Sequence, residues 1–292
     1  MNKNIFFLSV LLLIFSCQIR KPDYISYLNK VNEIDSVYRI KNDTLTALKM
    51  YQNLFKKYPP HNSHLIDEYQ TYIIISDKYQ LDFGGKESLY KLVPVVAPNW
   101  KYNRLDKDLF ALYKKYGIDS LEIENKVADW KKGLNKKLVD SFSIAFFRNQ
   151  EFRMPKYIEK SQSMNDRKNA KLFIWTFNNY GFPSLQKIGL WGNNNTFMPM
   201  GNILNHMAGL DNKDYPYFKE KLLEYLKTGE CAPEDYAEMI DKRAYMEGKD
   251  CVYCTVSKSR ISDSTQVNKN RKAIGMPTLK HSKKINSDYF KR

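Results

Sequence analysis

The chemistry available to this chain rests on few residues. Histidine is scarce, with four in 292 residues. His206 lies in "ILNHMAGL", and on a helix Asn202, Ile203 and Leu210 fall within three or four positions of it. In such a half-polar, half-apolar setting an imidazole can serve as base, acid or hydrogen-bond donor, or as a buried structural group. His61 and His64 flank a proline turn in "PPHNSH", where an H-x-x-H metal pair competes with a solvated loop, and the loop is the preferred reading. His281 sits in the basic tail. Cys251 and Cys254 form a C-x-x-C in "GKDCVYCTV", open to redox, metal, disulfide or free-thiol readings. No βαβ context supports a thioredoxin-type pair, and no second ligand pair supports structural zinc. G-x-S-x-G, H-E-x-x-H and the phosphate-binding G-x-x-x-x-G-K-[ST] are all missing from the sequence. We therefore expect neither a metal nor a cofactor.

The elements that must position these residues read as helices. "DTLTALKMYQNLFKKYPP" opens on a capping residue, Asp43 or Thr44, repeats Ala47, Tyr51 and Phe55, and stops at Pro59-Pro60. "SHLIDEYQTYIIISDKYQ" places Leu65, Tyr69, Tyr72 and Ile73 on one face, and two shorter helices follow, the second ending at Gly117. This pattern weakly resembles tetratricopeptide-type hairpins, without a clean 34-residue period. Residues 118–153 read as one long helix or two, capped by Asp119 or Ser120 and broken at Gly133, with Pro155 as the stop. Downstream, Phe173, Phe177 and Tyr180 share a face before Gly181 and Pro183. "IGLWGNNNT" is a Gly/Asn loop. Phe218, Leu222 and Leu226 point inward along the next helix, and Pro233 with two acids opens another. A small hairpin at 251–256 is the one place where strand is expected. The fold class is mainly α, with boundaries at 1–16, 17–42 (a polar tether), 43–140 (helical hairpins) and 141–292 (a helical domain with a basic tail).

The first residues differ in kind. "MNKN" precedes "IFFLSVLLLIF", a charge-free run too short to span a bilayer, which needs ~20 apolar residues. It has the length of a signal-peptide core and ends in Ser16-Cys17, which looks like a bacterial lipobox. That implies cleavage before Cys17 and lipid attachment to it, anchoring the chain in a Gram-negative envelope. The basic "QIRKP" behind Cys17 favours the outer membrane with the protein facing the periplasm. The formal charge is +15, and loss of residues 1–16 removes only Lys3. For an exported protein such charge argues against nucleic acid and toward an anionic envelope ligand or a solvated lysine surface.

Seven short segments, in order, resemble a family of bacterial proteins catalogued as domain of unknown function 6624. "NQEFR" (149–153) is similar to its D-Q-x-x-R, "DRKN" (166–169) to its D-x-x-N, and "YGFP" (180–183) to its G-x-P. "ILNH" (203–206), "DYAEMIDKR" (235–243), "VYCT" (252–255) and "VNKNRKAIGMPTL" (267–279) complete the series, covering about 145–280. Asn149 replaces an acid, and Cys254 stands at the glycine of Y-G-T. The resemblance implies no reaction. It does select His206 with the candidate binding residues Arg153, Asp166, Asn169, Asp241, Arg243 and Tyr253. Asp166 and Asn169 can share one helix face, whereas Asp241 and Arg243 point about 200° apart. One of that pair then becomes a salt-bridge strut. Three functions fit: an envelope binding or structural protein with a polar pocket around His206, a hydrolase using His206 as general base, or a helical scaffold for a protein partner.

Overall fold

The computed structural model describes residues 23–63, 66–153, 158–257 and 259–289. The leader, Cys17 and His64 lie outside them. Helices dominate: α1 (Tyr24–Arg39), α2 (Thr44–Phe55), α3 (Glu68–Lys78), α4 (Gly85–Val96), the short α5 (Trp100–Asn103), α6 (Lys107–Lys115) and α7 (Ser120–Lys132). There follow α8 (Lys136–Gln150), α9 (Glu159–Tyr180), the short α10 (Leu185–Ile188) and α11 (Met200–Leu204), α12 (Tyr215–Lys227), α13 (Pro233–Met246), α14 (Ser264–Ala273) and α15 (Leu279–Tyr289). Among the described residues no helix is long and apolar enough to cross a membrane. No strand occurs among them either; the one extended contact is an isolated bridge between Trp191 and Phe197.

Local chemistry places the helix ends. The side chains of Asp43, Asp106, Asp119 and Asn135 accept hydrogen bonds from the first-turn N–H groups of α2, α6, α7 and α8. Gly133 separates α7 from α8, so 118–153 is two helices. The C-terminal ends at Gly181, Gly229 and Gly248 adopt positive φ, which glycine reaches without a Cβ clash.

Two apolar cores result. The first gathers buried side chains from residues 27–127, including Tyr27, Tyr51, Ile73, Leu92 and Tyr113. The second runs from Leu138 to Met276, around Phe142, Phe173, Phe218 and Leu222. Two expectations change here. Residues 24–39 are not a tether: Tyr27, Leu28, Val31, Ile34 and Val37 are all buried in the first core. Each such side chain is worth ~1.5–3 kcal/mol on burial, which a solvated linker would forgo. The basic tail, expected as part of the C-terminal domain, also reaches further: Ile285 of α15 completes the first core. Close approach at two glycines ties α1 to the C-terminal half. A Cβ at Gly229 would meet the Tyr24 ring at 2.5 Å, and one at Gly275 would meet Leu28 Cβ at 2.8 Å.

Candidate functional site

Three of the candidate residues, Arg153, Asp166 and Asn169, converge where the end of α8 meets α9. Asp166 and Asn169 do share a face of α9, and that face looks at α8. The Arg153 Nη2 group donates to both Asp166 oxygens, at 2.8 and 3.0 Å. Its Nε donates to the Asn149 carbonyl at 2.8 Å. Gln162 Nε2 supports the same carboxylate at 2.9 Å. One turn on, Asn169 is fully buried; its Oδ1 accepts from Arg148 Nε at 2.9 Å. Asn165 Nδ2 donates to Glu151 and to the Arg148 carbonyl. Asp166 lies in the third turn of α9, which begins at Glu159. The two Asn149 side-chain polar atoms and Gln162 Oε1 are buried and unpartnered among the described residues.

His206 faces this cluster from a short 3-10 turn, Asn205–Ala208, that follows α11. The helix expected through Leu210 has ended, and Leu210 is exposed. The His206 Nδ1 lies 3.3 Å from Lys242 Nζ. Burial, then Lys242, then Arg153 hold the imidazole pKa down at about 3. The ring is therefore neutral at physiological pH. While Lys242 is an ammonium it has only donors to offer; Nδ1 then accepts and the ring proton sits on Nε2. The Lys242 pKa is itself lowered by burial and by Arg153, with Asp166 opposing.

Three successive residues of α13 point in three directions, as steps of ~100° require. Asp241, fully buried, turns to the 251–256 loop. Its carboxylate accepts from the N–H groups of Val252, Tyr253 and Thr255 and from the Thr255 hydroxyl, at 2.7–2.9 Å. Lys242 turns to His206. Arg243 is a strut: it donates to the Gly209 carbonyl at 2.8 Å and to Glu247 at 2.6 Å, with its guanidinium 4.9 Å from the Tyr215 ring centre. Tyr253 is buried against Tyr236, its hydroxyl pKa raised by burial and then by Tyr236, and its carbonyl accepts from Arg271. Asp241, Arg243 and Tyr253 thus build the scaffold, while Arg153, Asp166 and His206 come together. Lys242 escaped the sequence reading, although its place beside Asp241 on a helix put it on a third face that was open to it.

The expected hairpin at 251–256 is an irregular turn, because Asp241 takes the N–H groups a strand ladder would use. Cys251 and Cys254 are joined in a disulfide, with Cα atoms 4.9 Å apart, and Cys231 is a buried free thiol. Cys254 has φ 56°, in the left-handed region. His281 is likewise no tail residue. It is buried, with Nε2 2.7 Å from Asp35. Of the H-x-x-H pair, His61 packs edge-on against Tyr24, and no group of three metal-ligand side chains occurs among the described residues. Set against family models, curated proteins and solved structures, the chain matches none.

Proposed function

We propose that this chain is a lipid-anchored protein of a Gram-negative envelope that binds a small anionic ligand between His206, Lys242 and Arg153. The single observation behind this is the contact between a neutral imidazole and a half-buried lysine, with a guanidinium adding to the field. Among the described residues Lys242 has no carboxylate partner of its own, and Arg153 spends only one terminal nitrogen on Asp166. Cationic groups with depressed pKa values lose that depression when an anion arrives, so binding and charge support each other. In the tautomer with Nδ1 accepting from Lys242, the Nε2 hydrogen of His206 adds a neutral donor. Arg153 supplies the planar fork suited to carboxylate or phosphate oxygens.

The same chemistry makes catalysis the weaker reading. A general base works best with a pKa near the operating pH, and His206 at about 3 is far from it. The test uses inorganic pyrophosphate as probe in titration calorimetry on the full chain. Saturable binding should weaken at least about tenfold in Lys242→Met, equivalent to ~1.4 kcal/mol. Absence of saturable heat, or an unchanged Lys242→Met titration, sinks the anion-binding reading. Anchoring is tested separately: Cys17→Ala should move the protein from the membrane to the soluble fraction.

A further inference from the structure

A second site lies away from the His206 cluster and shares no residue with its network. The turn through α5, the end of α7 and the loop after α10 enclose a groove of about 590 Å³. That is the size range of small-ligand sites, ~300–1,000 Å³. Trp130 and Trp191 form walls, while Lys101, Arg104, Lys131 and Asn195 reach its edge. No carboxylate lines it among the described residues. Among the described residues none of the three cations makes an ion pair; Lys101 instead places its Nζ 3.8 Å from the Trp191 ring centre. Tyr102 and Phe197 extend the aromatic surface beside Trp191, with ring centres at 5.7 and 4.9 Å, and both are exposed.

The groove is held from both sides of the junction between the two cores. Trp191 Nε1 donates to Asn99 at 3.2 Å, and Trp130 Nε1 donates to Gln186 at 2.9 Å. Gln186 in turn donates to the Pro94 carbonyl, and Leu190 N–H to the Pro98 carbonyl. With both indole N–H groups fixed, the rings are pre-positioned; Lys101 rests over Trp191, so a ligand there would meet the ring edge and the ammonium together. The 192–196 loop is set firmly too, with Asn193 N–H bonded to Ser143 and its amide to Asp140.

We infer that this groove binds an acidic sugar, a uronate-bearing oligosaccharide. Apolar C–H faces of a sugar ring suit indole walls, and three cations without a carboxylate partner among the described residues suit its carboxylates. Ring tilt argues against a nucleic acid strand. Trp191 stands 58° from Tyr102 and 38° from Phe197, so the rings make a corner and not a run of parallel platforms.

The test follows tryptophan fluorescence of the full chain during titration with a tetrasaccharide alternating glucuronate and N-acetylglucosamine. Chitotetraose serves as neutral comparator and octathymidylate as the nucleic acid. The acidic tetrasaccharide should saturate at millimolar concentration or below and bind more tightly than either comparator. Lys101→Ser/Arg104→Ser, at exposed positions, should weaken it at least about tenfold. Trp191→Ala should do the same if it folds; the lysine–arginine variant stands without it. The inference is overturned by a titration that does not saturate, by equal binding of chitotetraose, by tighter binding of octathymidylate, or by an unchanged affinity in the Lys101→Ser/Arg104→Ser protein.

Discussion

At the scale of single residues, burial decides which groups carry charge. His206 is neutral for that reason first, and for its cationic neighbours second. Asp235 shows the opposite case. It sits in the first turn of α13, and burial, with Glu234 and Glu238 adding repulsion, pushes its pKa up to about 7. A carboxyl raised in the folded state stays protonated there while the unfolded chain ionises. Its contribution to stability is intact below the ordinary carboxyl value of 3.8 and is lost as pH climbs toward 7. The helix N-terminus offsets part of that cost. Asp235→Asn should therefore stabilise the protein by about 1–2 kcal/mol at pH 8 and change little at pH 4, as urea denaturation at the two pH values would reveal. A gain of equal size at both would show that Asp235 is ionised throughout.

At the scale of elements, the 251–256 loop shows how a cystine and side-chain hydrogen bonds fix backbone shape. Cys254 occupies a left-handed position, φ 56°, where glycine would sit without strain. An L-residue in that region costs ~1–2 kcal/mol, which glycine avoids. The cystine and the four hydrogen bonds to Asp241 hold the loop in place despite it. With the disulfide removed from both proteins, Cys251→Ser/Cys254→Gly should be more stable than Cys251→Ser/Cys254→Ser by about 1 kcal/mol in thermal unfolding. Equal melting temperatures would mean the loop relaxes out of this conformation once the sulfurs are gone. The rest of the element scale was open to reading: aspartate caps, a proline opening α13 and glycine stops are short-range devices, and each works within one helical turn.

At the scale of the whole molecule, the two ends of the described chain lock together. Asp35 of α1 is fully buried, and it accepts from Arg39 at 2.7 Å and pairs with His281 of α15 at the same distance. Arg39 also approaches Asp288 at 3.5 Å. Removing one member of a buried ionic set leaves the others desolvated and unpaired, at a cost of ~3–5 kcal/mol. Asp35→Ala should lower stability by about that amount and speed amide exchange across 279–289 before the rest of the molecule. Exchange rates in α15 that stay at the wild-type level would show the lock to be dispensable.

What the sequence by itself determined was local. Helical class followed from apolar spacing, caps from residue types, and the shared face of Asp166 and Asn169 from a three-residue step. The apolar recurrence of Tyr27, Val31, Ile34 and Val37 was also present, but the polar residues between them suggested a solvated segment. Only the tertiary structure decided that α1 is core, that His281 pairs with a carboxylate 246 positions earlier, and that Lys242, not Asp241 or Arg243, faces His206. The physical reason is common to all three. Burial and charge pairing depend on which surfaces meet across the chain, and no periodicity within a single helix encodes its partner.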